Sequence, residues 1–167
     1  MSGVAIRPAR VEDAEAIAAI YAYHVLHGTA SFDTEPPDEA FWRDKIAHIL
    51  AQGWPFPVCV DGDRVLGYAY ATQFRDRSAY ARTCEDSIYV DESARGRGIG
   101  KLLLGELVDQ ARSCGFEQMI AVIGGGEPAS VALHARFGFV EVARLREVGF
   151  KFGRWLDVIF MQRMLAP

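Results

Sequence analysis

A chain of 167 residues with 50% hydrophobic and 24% charged content suits one soluble globular domain, residues 1–167, with a real core. The formal charge of −4 excludes the broad basic footprint of a general nucleic-acid binder, and no apolar run reaches membrane-spanning length. Cys59, Cys84 and Cys114 are odd in number, widely spaced and without CxxC or Cys/His ligand spacing, so neither a disulfide framework nor a metal site is expected; with no signal peptide at its head, the chain fits a reducing cytoplasm.

Val4-Ala5-Ile6-Arg7-Pro8 reads as a first strand, closed by a proline that cannot donate to a ladder. A helix follows, with Ala14, Ile17, Ala18, Ile20 and Tyr21 as its apolar face and Glu12, Asp13 and Glu15 at its positive end, fading near His27-Gly28. Thr29 to Pro37 holds Phe32, Asp33, Glu35 and two prolines; too irregular for an element and too aromatic for a spacer, it reads as a functional loop. Asp38 is placed to cap a second helix carrying Phe41, Trp42, Ile46 and Ile49. From Phe56 to Ala71, two apolar runs flank Asp61-Gly62-Asp63 as a hairpin. The polar stretch Gln73 to Arg82 then leads into a strand from Thr83 to Val90. His24, His27 and His48 read as ordinary helix histidines.

Arg95-Gly96-Arg97-Gly98-Ile99-Gly100-Lys101 lies between that strand and a helix in which Ile99, Leu102, Leu103, Leu107, Val108 and Ala111 recur at helical spacing. Glycines in a strand-to-helix turn allow positive φ and bring amides close to a ligand, with the helix dipole behind them. Two arginines and a lysine in the same turn suit a phosphate or pyrophosphate. The GxGxG spacing, after several antiparallel-type strands, departs from the dinucleotide GxGxxG fingerprint, and no GxxxxGK[ST] loop occurs. Met119 to Ile123 reads as a buried strand broken by Gly124-Gly125-Gly126. Ser130, Val131, Leu133, His134 and Phe137 suggest a helix stopped by Gly138, before two last strands, Phe139 to Val148 and Trp155 to Met164. The class is α/β or α+β, a mixed sheet with an antiparallel hairpin and a parallel strand–helix–strand unit.

Arg95-Gly96-Arg97-Gly98-Ile99-Gly100 meets the pattern [RQ]-x-x-G-x-[GA], Ile88-Tyr89-Val90 precedes it, and Ser130-Val131-Ala132-Leu133-His134 is followed by Phe137-Gly138-Phe139. On these motifs the chain resembles the GNAT family of N-acetyltransferases over almost its full length. Thr34-Glu35-Pro36, Glu85 and the segment from Gly149 to Asp157 resemble its phosphinothricin/methionine sulfoximine acetyltransferase group. The resemblance implies a sheet of about seven strands flanked by about four helices and splayed between two central parallel strands. It also implies acetyl-CoA as co-substrate without a metal, and a homodimer. The implied reaction is direct transfer, in a ternary complex, to the α-amine of a small amino-acid analogue. A peptide N-terminus, polyamine or aminoglycoside is the alternative acceptor, and an acetyl-CoA-binding module without catalysis the alternative role.

By the same resemblance, the amides of Gly96, Arg97, Gly98, Ile99, Gly100 and Lys101 hold the CoA pyrophosphate. Ile88, Tyr89 and Val90 pair with the pantetheine arm, Ser130 belongs to the second cofactor motif, and Arg95, Arg97 and Lys101 add phosphate contacts. Amine acetylation needs a neutral amine, and Glu85 is the expected base. His134 stands where many members carry a tyrosine that protonates the departing thiolate, and an imidazole there can donate that proton or help as a base. Arg75 and Arg77 suit an acceptor's carboxylate or phosphinate, and Phe32, Tyr80 and Phe150 are candidate pocket walls. Glu35 and Lys151 are placed at the substrate or across a subunit boundary. One departure is Glu127, where the second motif usually has asparagine.

Overall fold

Residues 3–166 are described in a computed structural model, which arranges seven strands and four α-helices as one interleaved series. The opening elements are β1 (Val4–Pro8), α1 (Ala14–His27) and α2 (Glu39–Ala51). Asp38 caps α2 as its position predicts, its carboxylate accepting from the Phe41 N–H at 2.9 Å. Then come β2 (Pro57–Asp61), β3 (Arg64–Gln73), β4 (Thr83–Val90), α3 (Ile99–Ser113), β5 (Gln118–Gly124), α4 (Pro128–Arg136), β6 (Val140–Lys151) and β7 (Arg154–Met164).

The sheet order is β1-β2-β3-β4-β5-β7-β6, and β4 with β5 is its parallel pair. α3 makes that crossover, so its buried stripe of Leu103, Leu104, Leu107 and Ala111 packs on one sheet face with Leu66, Ala69, Met119 and Ala121. Truncating any one of the three fully buried leucines to alanine is worth about 2–5 kcal/mol. The other face is covered by α1 and α2, where Ile17, Ile20, Trp42, Ile46 and Ile49 meet Val58, Tyr68 and Tyr70.

Two features position the site. β4 and β5 pair only from Thr83 to Glu85 with Gln118 to Ile120; beyond Glu85 the strands part, as a splayed centre requires. The second feature corrects the expected end of β6, which runs on past Val148 to Lys151. The register shifts between Leu145 and Gly149, and Glu147 has φ 51°, so a bulge breaks the two-residue alternation that would have revealed the continuation. Phe152 and Gly153, at φ 53° and 72°, form the two-residue turn into β7. Gly149 to Asp157 is thus a hairpin, whose inner edge reaches back to the loop after α1.

Candidate active site

Where β4 and β5 part, a cavity of about 380 Å³ opens. Glu85 to Tyr89 form its β4 wall and Ala121 to Gly124 its β5 wall; Ala30 to Asp33, with Tyr21 of α1, form a third side, and Ser130 and His134 of α4 complete it. The Asp91 N–H bonds to Leu66 O at 2.8 Å, continuing the β3 ladder. By strand alternation the main-chain groups of Ile88 and Val90 therefore point the other way, into the opening. They form a sheet edge without its strand. His24, expected to be an ordinary helix histidine, places Nε2 2.8 Å from the Val90 carbonyl oxygen and packs its ring 5.2 Å from that of Tyr89.

The glycine turn stands at the end of this edge. Gly98 sits at the N-cap of α3 with φ 78°, a conformation that costs a side-chain-bearing residue about 1–2 kcal/mol. The first main-chain bond of the helix runs from Leu102 N–H to Gly98 O, so the amides of Ile99, Gly100 and Lys101 remain free for an anion. Among the basic side chains, Arg97 lies 3.4 Å from Asp61, Arg95 leans over the Tyr23 ring at 5.8 Å, and Lys101 is exposed. Glu127 occupies the N-cap of α4 without a side-chain capping bond.

Glu85 lines the cavity as the last β4 residue paired with β5, half-buried. Burial and the neighbouring Asp86 charge hold its carboxyl above the usual glutamate range, against the pull of Arg75 and Lys45. Such a carboxylate is a stronger base than an exposed one. His134 is 2% exposed, with Nε2 2.7 Å from Asp86 Oδ2 and Nδ1 2.7 Å from the Ser130 carbonyl oxygen. Tyr21 donates its hydroxyl to Asp33 and lies 2.7 Å from Ser31 Oγ, which fixes an acidic side chain on the loop wall.

Phe32, Glu85, Ile88, Tyr89, Ser130 and His134 thus meet at one cavity. Arg75, Arg77 and Tyr80, expected at the substrate, lie on an exposed stretch outside the cavity lining, Arg75 over the Phe74 ring at 4.7 Å and with its charge acting on Glu85. Glu35 faces solvent, and Phe150 is 59% exposed on the outer hairpin against Trp155, away from the cavity wall it was expected to form. Lys151 also departs from direct substrate contact. Its buried ammonium donates to Gly28 O at 3.0 Å and Ser31 O at 2.7 Å, so it holds the loop from behind. Asp86, Tyr21 and Ser31 went unrecognised in the sequence; Tyr21 carried only an apolar-face assignment, and Asp86 alternates to the strand face opposite Glu85.

A mixed sheet parted between its parallel strands, with an unpaired edge leading to free helix amides, suits an extended, amide-bearing carrier that ends in an anionic group. The profile of the Acetyltransferase (GNAT) family matches residues 17–139, and the chain belongs to this family. It is an N-acetyltransferase that uses acetyl-CoA, and the edge and turn fit that carrier. A phosphinothricin N-acetyltransferase of Alcaligenes faecalis is 47% identical over 161 residues, 96% of this chain and 82% of the relative. An L-methionine sulfoximine/L-methionine sulfone acetyltransferase of Pseudomonas aeruginosa is 42% identical over 166 residues, 97% of this chain and 95% of the relative. The crystal structure of a phosphinothricin acetyltransferase from Sinorhizobium meliloti, in complex with acetyl-CoA, superposes with TM-score 0.95 at 47% identity, over 99% of this chain and 90% of that one.

Proposed function

We propose that the enzyme transfers the acetyl group of acetyl-CoA directly to the α-amine of a small amino-acid analogue, of the phosphinothricin or methionine sulfone type that similar enzymes are named for. The observation that carries this reading is Glu85, a carboxylate with raised proton affinity, on the wall of a small cavity at the end of an unpaired strand edge. When bound, acetyl-CoA supplies the activated acyl group. The β4 edge at Ile88 and Val90 pairs with its amide-bearing arm, and the amides from Gly96 to Lys101 hold its pyrophosphate. Glu85 takes a proton from the acceptor ammonium, and the freed amine attacks the thioester carbonyl. A main-chain N–H near Val90 stabilises the developing oxyanion.

Direct transfer is favoured because Cys84, beside Glu85, bonds to Gln118 O at 3.5 Å and burial pushes its thiol up, keeping it protonated. The acceptor's ammonium suits the Asp33 and Glu85 carboxylates that line the cavity, and its acidic group suits Arg75, whose charge acts on Glu85. Glu85→Gln is expected to lower kcat by about 10²–10⁴-fold at unchanged acetyl-CoA affinity. The acid limb of the wild-type profile, lying above the usual glutamate range, should disappear with it. Unchanged turnover in Glu85→Gln removes Glu85 as the base.

A further inference from the structure

His134 is enclosed by groups that leave little freedom over its protons. Nδ1 lies 2.7 Å from a main-chain carbonyl oxygen, that of Ser130, and Nε2 lies 2.7 Å from the Asp86 carboxylate. Both partners can accept, so the geometry accommodates hydrogen on both ring nitrogens, the arrangement of an imidazolium facing a carboxylate. The His134 and Asp86 side chains are 3% and 2% exposed. A buried cation needs a buried counter-charge, and Asp86 is that charge among the described residues. The remaining surroundings are the Phe139 ring, 5.0 Å away edge-on, and the Ser130 hydroxyl, 3.4 Å from Nδ1, with Glu85 one residue along β4 from Asp86. Asp86 is also the first β4 residue past the last β4–β5 pair. The ion pair therefore ties α4 to β4 where the ladder stops and the cavity begins.

We propose that Asp86 is a positioning residue that keeps His134 doubly protonated, so that this histidine serves as proton donor to the departing CoA thiolate and not as a second base. This rests on the acetyl transfer described above, with Glu85 as the base. In the step itself the C–S bond of the tetrahedral adduct breaks and the thiolate gains a proton across the Ser130 hydroxyl, which takes one from His134 Nδ1. The ring, then neutral, recovers a proton from solvent, while the nitrogen loses its second proton to water by way of Glu85 as the amide forms. The proton first taken by Glu85 returns to water. One ammonium and one thioester thus give one amide, one thiol and one released proton. Burial alone would drive the ring toward its neutral form; the Asp86 charge and hydrogen bond, aided by the Ser130 carbonyl, outweigh it and raise the imidazole's proton affinity.

The test is a side-chain ¹H–¹⁵N correlation spectrum of the histidine-labelled full chain across neutral pH, without acceptor. In the wild type both His134 nitrogens should show protonated shifts near neutral pH, and in Asp86→Asn the ring should be neutral there. With the accepted amine, the alkaline limb of kcat should move down by about one pH unit or more in Asp86→Asn, the scale expected for losing one close counter-charge, while Asp86→Glu restores it in part. A neutral His134 ring in the wild type near neutral pH overturns the proposal, as does unchanged His134 titration in Asp86→Asn. The wild-type spectrum needs no variant and no acceptor, so a misfolded variant or a different acceptor leaves that outcome decisive.

Discussion

Glu85 and Asp86 are adjacent carboxylates that the parting of β4 from β5 gives to different partners. Glu85 keeps a face on the cavity and a proton affinity raised by burial, whereas Asp86 is locked against His134. One carboxyl is thus open to the cavity, as the proposed base requires, and the other is engaged by a buried imidazole. Lys151 is a third residue whose surroundings define its task. Its ammonium bonds two loop carbonyls, and burial lowers its proton affinity against the opposing Asp33 charge. Lys151→Met should cost about 1–3 kcal/mol, because the part-buried Gly28 carbonyl and the buried Ser31 carbonyl lose a charged donor. It should also raise the acceptor KM more than the acetyl-CoA KM, since the loop carries Phe32 and Asp33. Denaturant titration with paired KM measurements checks this; an unshifted acceptor KM means the loop keeps its place without the lysine.

At the scale of elements, the glycine turn makes the sharpest prediction. Gly98→Val puts a β-branched residue at φ 78° and adds bulk beside the free amides, so the acetyl-CoA KM should rise by about tenfold or more, with about 1–3 kcal/mol lost in stability. Calorimetric titration of acetyl-CoA checks it, and unaltered affinity would mean the turn is an ordinary loop. Most elements were legible because their periodicity or punctuation is local: the Asp38 cap, the Gly62 turn, the Ile99–Ala111 stripe and the Gly138 stop are all read within a few residues. The end of β6 was not, because its bulge destroys the alternation that sequence reading depends on. The Asp86–His134 pair spans 48 residues, and alternation turns Asp86 away from Glu85; only the opening of the sheet brings both to one cavity. Phe32 was marked by its loop, yet its seat against Gly149, where an added Cβ would lie 2.2 Å from the ring, depends on a hairpin 117 positions on.

Across the whole molecule, the sheet ends at β6 with Val140, Val142, Leu145 and Val148 each 45–62% exposed, continued by Phe150, Phe152 and Trp155 at 55–60%. An exposed apolar edge strand is a liability in a monomer, which accords with the homodimer that the family resemblance implies. Light scattering at micromolar concentration should give twice the chain mass, and Trp155→Lys should shift it toward one; a wild-type monomer contradicts the dimer. The central claim concerns the acceptor, and it is tested most directly by thiol release from acetyl-CoA across a panel of amines. Methionine sulfone, methionine sulfoximine and phosphinothricin should be turned over fastest, with the acetyl group found on the α-nitrogen. Faster release with peptides, polyamines or aminoglycosides, or none with any amine, contradicts the account.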